Sequence, residues 1–136
     1  MFNKFERGGD PYRKLGVGRV VLIEKWFSDL GINSDRYTID KDFNINVRRY
    51  LNLNGTNITS LLDNLNVGGS LDLERTDITS LPNDLSVGGS LFLSGTKITS
   101  LPDNLSVEGN IWLNENRKGK VYIPEHLKEK VHYENY

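Results

Sequence analysis

The chain contains no cysteine, one methionine and four prolines, and its longest apolar run is Val20–Ile23. Without cysteine there are no disulfides, no thiolate nucleophile and no thiolate metal site. The apolar run is far too short to span a bilayer, and Met1–Gly8 lacks the apolar centre of a signal peptide. These absences lead to the expectation of a soluble, cytoplasmic protein with no membrane association. A net charge of −1 gives the whole chain no field for general polyanion binding. The charge is uneven, however, because Lys and Arg outnumber Asp and Glu over residues 1–50 and the reverse holds over 51–136.

A repeat fills the middle of the chain. Leu51-Asn-Leu-Asn-Gly-Thr-Asn-Ile-Thr-Ser returns as Leu71-Asp-Leu-Glu-Arg-Thr-Asp-Ile-Thr-Ser and as Leu91-Phe-Leu-Ser-Gly-Thr-Lys-Ile-Thr-Ser, each twenty residues on, and begins again at Ile111-Trp-Leu-Asn-Glu-Asn. An exact period of this length predicts a solenoid, since one unit has too little apolar surface to fold alone and must stack on its neighbours. Leu91 and Leu93 are expected to point inward from a short strand, with Ile98, Leu101, Leu105 and Val87 completing the interior. Leu101-Pro102-Asp103-Asn104-Leu105 is too short for a helix and is expected to cross the convex side as an extended or 3₁₀ turn.

The flanks differ from the repeat. Asp10-Pro11 is a helix-start signal, and Gly16 and Gly18 would each cost about 1 kcal/mol inside a helix, so the first turn is expected to be short. Over Arg19–Leu30 the apolar residues Val20, Leu22, Ile23, Trp26, Phe27 and Leu30 share one half of a helical wheel, leaving Val21 on the polar half; Gly31 stands at the left-handed terminating position. From Arg36 to Val47 the period falls to two, with a polar turn at Asp40-Lys41-Asp42, which predicts a β-hairpin. Its second arm, Ile45-Asn46-Val47, aligns with Leu65-Asn66-Val67 and Leu85-Ser86-Val87, so the repeats are entered without a linker. At the other end Arg117-Lys118-Gly119-Lys120 replaces the Ile-Thr-Ser segment and ends the stack. Val121-Tyr122-Ile123 is expected to be extended, followed by a helical turn with Leu127 and Val131 on one side. The predicted organisation is an N-terminal cap over 1–47 (helix and β-hairpin), repeats over 48–116 and a C-terminal cap over 117–136.

The phrase Leu91-x-Leu93-x-x-Thr96-x-Ile98 resembles the core of the leucine-rich repeat, with Thr56, Thr76 and Thr96 at the position that family gives to Asn, and Asn116 there in the last copy. The resemblance implies an α/β solenoid with a parallel β-sheet on one face and a hydroxyl ladder meeting buried backbone groups. The Leu-Pro-x-x-Leu half is similar to compact bacterial repeats of secreted effectors, whereas the Val-Gly-Gly-Ser closure and the threonines look more like small leucine-rich proteins carried by bacteriophages. Phe5-Glu6-Arg7-Gly8-Gly9-Asp10-Pro11, followed by Leu15-Gly16-Val17-Gly18, is similar to leader segments of those phage proteins. What the resemblance implies is an accessory protein made in an infected bacterium, binding and modulating or inhibiting a host protein, including a defence protein.

Chemistry is hard to place. His126 and His132 lie near Glu125, Glu129 and Glu134, but a spacing of six puts two rings on different helix faces, against a metal site or an acid–base pair. Gly16-Val17-Gly18 has no preceding strand and no following Lys-Ser/Thr, against a phosphate loop. Ser and Thr recur at architectural positions with no His beside them. No catalytic residue, cofactor or metal is assigned, and the protein is not expected to be an enzyme.

Binding surfaces are easier to place. Outward residues of the strands should stack in columns about 4.8 Å apart: Tyr50, Ser70, Ser90, Asn110; Asn52, Asp72, Phe92, Trp112; Asn54, Glu74, Ser94, Asn114. Tyr50, Asn52, Asp72, Glu74, Phe92, Trp112 and Asn114 form the candidate partner-binding face, with adjacent aromatics where polar residues are expected and charged neighbours of the kind found at hot spots. The alternative for Trp112 is burial under the C-terminal cap. Two other readings are weighed: self-association or a virion-bound structural role through exposed end strands, and nucleic-acid binding through a basic patch of Arg7, Arg13, Lys14 and Arg19, against which the helix spends half its face on apolar residues.

Overall fold

The computed structural model describes residues 17–135. The expected turn at Asp10-Pro11 and the basic residues Arg7, Arg13 and Lys14 lie outside the described residues. Elements run in the order α1 (Val17–Asp29), β1 (Tyr37–Ile39), β2 (Ile45–Val47), β3 (Leu51–Asn52), β4 (Leu65–Val67), β5 (Leu71–Asp72), β6 (Ser86–Val87), β7 (Leu91–Phe92), β8 (Ser106–Val107), β9 (Ile111–Asn114) and β10 (Val131–Glu134). Short 3₁₀ turns cover Ser34–Arg36, Glu115–Arg117 and Glu125–Lys130.

The fold is a β-solenoid of about four turns with two parallel sheets and one helix. One sheet has the order β1-β2-β4-β6-β8, the other β10-β9-β7-β5-β3. Pairing is parallel throughout apart from the β1/β2 hairpin, where Tyr37 faces Val47 and Ile39 faces Ile45. Each parallel step shifts the chain by one repeat, Ile45 to Leu65 and Leu71 to Leu91 to Ile111.

A second sheet departs from the expectation of a sheet on one face alone. The physical reason is a second alternating stretch in every copy: Leu65-Asn66-Val67 is buried at both ends and half-exposed in the middle, the pattern of a strand with one face inward. The Leu-Pro-x-x-Leu segment is therefore a corner rather than a crossing of the convex side. Asn64 and Asp84 take left-handed backbone (φ 61° and 62°) just before these strands, which Asn and Asp tolerate better than most residues.

The two sheets close on one core. Leu51, Leu71, Leu91 and Ile111 and the following Leu53, Leu73, Leu93 and Leu113 meet Leu65, Leu85, Leu105, Val67, Val87 and Val107 from the other sheet, with Ile78 and Ile98 filling the corners, all buried. Coils can stack this tightly because the two middle corners are Gly-Gly, at 68–69 and 88–89, and the last, Glu108-Gly109, keeps the second glycine. A Cβ on Gly68 would lie 2.7 Å from the Arg48 carbonyl oxygen, and one on Gly69 would lie 2.8 Å from the Tyr50 nitrogen. The first corner carries Arg48-Arg49 instead, since no earlier coil lies beneath it.

Helix α1 contributes a narrower stripe than the wheel implied. Ile23 and Phe27 are buried, Phe27 stacks on Tyr37 at 3.9 Å, and Trp26 meets Phe27 edge-on at 5.1 Å. Val20, Trp26 and Leu30 are half-buried, but Leu22, expected on the apolar half, is 64% exposed, and Val21 is exposed as its polar-half position predicts. Gly18, expected to sit outside the helix, is buried within its first turn. Gly31 ends the segment with φ 76°, as its position implied. Among the described residues no helix is long and apolar enough to cross a membrane.

Candidate functional site

The second sheet presents the predicted columns outward, since its inward positions are the core leucines. Asn52 pairs with Asp72, Asp72 with Phe92, and Phe92 with Trp112. The C-terminal segment flanks Trp112 without hiding it: the expected helical turn is the 3₁₀ segment Glu125–Lys130, and Val131–Glu134 then adds a further parallel strand that was not expected, placing His132 beside Trp112 and Glu134 beside Asn114. The Trp112 and His132 rings stack at 4.9 Å and 29°. Phe92 and Trp112 are both half-buried, so the column reads Asn52, Asp72, Phe92, Trp112, His132.

Acidic groups gather beside this aromatic run. Asp72 and Asn52 each turn an Oδ1 onto the backbone two residues on, accepting from Glu74 N (2.9 Å) and Asn54 N (3.0 Å). Asn54 Nδ2 donates to both Asp72 Oδ2 and Glu74 Oε1 at 3.3 Å. Asn114 does not extend this arrangement: its Oδ1 accepts from Gly95 N at 3.1 Å and its Nδ2 contacts Asn116. Glu134 then reaches past it, accepting a 2.7 Å hydrogen bond from Ser94 Oγ, and Ser94 is fully buried beneath. Burial, then the charges of Asp72 and Glu134, hold the Glu74 carboxyl above its ordinary range, with Arg75 acting in the opposite direction. Arg75 lies at the margin, its Nε donating to Asn54 Oδ1 at 3.3 Å.

Other predicted positions separate from this face. Tyr50 is exposed at the N-terminal edge under the Arg36 guanidinium, 5.0 Å from its ring centre. Arg19 is exposed and lies over the Phe43 ring at 4.6 Å, away from any cluster of base-reading groups. Thr56, Thr76 and Thr96 each donate Oγ1 to the carbonyl three residues back, Leu53, Leu73 and Leu93, at 2.8, 2.8 and 2.7 Å. Each hydroxyl thus closes its own turn, without side-chain bonds from coil to coil. Asn116 is exposed and makes no such bond to Leu113.

His126 and His132 do not share a site: His126 Nε2 bonds the Leu105 carbonyl (2.9 Å), His132 Nε2 the Asn110 Oδ1 (3.3 Å). Among the described residues no group of three or more His, Cys, Asp or Glu side chains is placed to hold a metal ion.

Three features escaped the sequence reading. The first is the extension of the aromatic column to His132, which has no counterpart in the broken fourth copy. The second is a basic corner of Arg36, Arg48 and Arg49 around Asp35 and Tyr50, signalled only by Arg-Arg at the Gly-Gly position. The third is the finishing of the stack by side chains. Leu85 O receives Ser106 N from the next coil and Ile78 O receives Lys97 N. At the last coil the equivalent carbonyls, Leu105 and Ile98, are met by His126 and by the Arg117 guanidinium. At the first coil Tyr50 O is met by Arg36. Compared with protein-family models, with curated proteins and with solved structures, the chain has no match in any of the three.

Proposed function

We propose that the protein is a non-catalytic scaffold of the leucine-rich-repeat kind that binds another protein through the outer face of its second sheet. The observation that carries this reading is the run of half-buried Phe92 and Trp112 and exposed His132 on three adjacent strands, held on the buried core and bordered by carboxylates. Aromatic side chains fixed in this way lose little entropy on association and are favoured as interface anchors. The finishing of the end carbonyls by Arg36, His126 and Arg117 weighs against self-association through open edges. The likeness of the repeat and leader segments to phage proteins extends the proposal to an accessory protein that modulates or inhibits a host protein in the cytoplasm of an infected bacterium.

The test is a pull-down from bacterial lysate with the natural chain and a Phe92→Ala/Trp112→Ala variant. A protein captured by the first and lost by the second is the expected result. Equal capture by both removes the strand face from the mechanism.

A further inference from the structure

The arginine corner at the N-terminal end of the stack gathers like charges that the fold does not need. In the hairpin Tyr37 faces Val47, so one step further the register sets Arg36 opposite Arg48, and Arg48 N donates to Arg36 O at 3.2 Å. Tyr37 and Val47 are buried, so alternation turns both arginines outward on one face, a placement that is destabilising for two like charges. Both guanidiniums are nevertheless fixed: Arg36 donates to Tyr50 O and lies over the Tyr50 ring, and Arg48 Nη2 donates to Asp35 O at 2.9 Å. Each of these bonds uses one of the five N–H donors that a guanidinium carries. Arg49, next in the chain, is exposed, and its guanidinium has no hydrogen-bond or ion-pair partner among the described residues. The three side chains line one cleft of about 340 Å³ together with Tyr50 and Asp35. Asp35 forms no ion pair with any of them, and three arginines against one aspartate leave the lining with a formal charge of +2. The corresponding corners of the next two coils, at 68–69 and 88–89, are Gly-Gly.

We propose that this cleft binds a small phosphate monoester, its dianionic phosphate held by Arg36, Arg48 and Arg49. A dianion matches the charge of the lining. A phosphate monoester also presents three free oxygens to the three guanidinium forks, where a carboxylate has two. The cleft has the volume of a small-ligand site at the lower end of the usual range. Positive charge is not carried up the stack, because glycines stand where the arginines would repeat, so no track is laid for a polynucleotide backbone. The site lies apart from the aromatic column, and the proposal does not depend on protein binding through the strand face.

The probes are methyl phosphate, a dianion at mildly alkaline pH, and two monoanions, dimethyl phosphate and acetate, each titrated into the full chain at matched ionic strength and followed by NMR of the arginine N–H groups. Methyl phosphate should bind at least tenfold tighter than either monoanion, weaken as salt rises and shift the Arg49 Nε–H signal. Arg49→Gln gives up no described contact; it should weaken methyl phosphate at least fivefold with unchanged circular dichroism, and Arg49→Lys, which keeps the charge without the fork, should fall between the two. Should Arg49→Gln unfold, the comparison of methyl with dimethyl phosphate on the natural chain decides the matter alone. Equal affinity for those two esters, no methyl phosphate binding at millimolar concentration, or undiminished binding by a folded Arg49→Gln overturns the proposal. A mixed-sequence oligonucleotide or a capped phosphoserine peptide that binds more than tenfold tighter than methyl phosphate, and loses that binding in Arg49→Gln, overturns the assignment to a small molecule.

Discussion

Gly88 lies so close to Gly68 in the coil beneath that a Cβ on Gly88 would stand 2.3 Å from the Gly68 carbonyl oxygen. The obstacle is backbone, which cannot swing aside as a side chain can. Gly88→Ala should therefore destabilise the fold by about 1–3 kcal/mol, the range for forced overpacking. Gly55→Ala meets open space and only a left-handed backbone (φ 73°), and should cost about 1–2 kcal/mol. Urea unfolding of the two variants tests the ranking, and a harmless Gly88→Ala would contradict the stacking described.

The threonines make a second, graded test. Thr76 is buried and Thr56 half-buried, yet both make the same bond to the carbonyl three residues back. Replacing either with Val leaves that carbonyl without its hydroxyl. Thr76→Val should cost about 1–3 kcal/mol, the penalty of a buried unsatisfied group, and Thr56→Val less because water reaches it. Equal losses at the two sites would mean that the turn, rather than burial, sets the effect.

Glu74 gives a pH dependence of known sign. Its folded-state pKa is raised above the ordinary value of 4.5, mainly by burial and then by Asp72 and Glu134. The folded protein therefore binds its proton more tightly than the unfolded chain does. The stabilising contribution of the protonated form is present at low pH and is lost as pH rises from about 4.5 through the raised folded value. Asp40 works in the opposite direction: hydrogen bonds from Asn44 lower its pKa, favouring the fold as pH rises through the carboxylate range. Glu74→Gln removes the first contribution alone, so the variant should gain stability relative to the natural chain between pH 4 and pH 7. Parallel midpoint-against-pH curves for the two proteins would disprove the assignment.

The finished ends predict the state of association. With its outward carbonyls at Leu105 and Glu108 occupied by His126 and Lys130, strand β8 offers a poor template to another chain. Light scattering should find a monomer at high concentration. His126→Ala/Lys130→Ala should associate more readily, and a natural chain that already self-associates at micromolar concentration would rule out this role for the two side chains.

Much of this architecture was legible because its cause is repetition. The inward positions Leu71, Leu91 and Ile111 follow from the period alone, as do the outward columns, because alternation along a strand leaves only two sides. The second sheet was legible in principle: Leu65-Asn66-Val67 aligns with the hairpin arm Ile45-Asn46-Val47, and the same alternation in both marks the same strand. Leu22 was misplaced because a wheel assumes that a neighbour covers half the helix, and here the neighbour covers less.

What the sequence determined by itself is thus the coil, its register and the membership of the outward columns, properties that repeat and depend on local alternation, whereas the burial of Ser94 in one of them under Glu134 is not among them. Only the tertiary structure decided that Val131–Glu134 continues the sheet, that His132 stacks on Trp112 and that Glu134 turns back to Ser94 beside Glu74. Those relationships occur once, between residues far apart in the chain. No period encodes them, and they exist only when the last segment packs against a stack already formed.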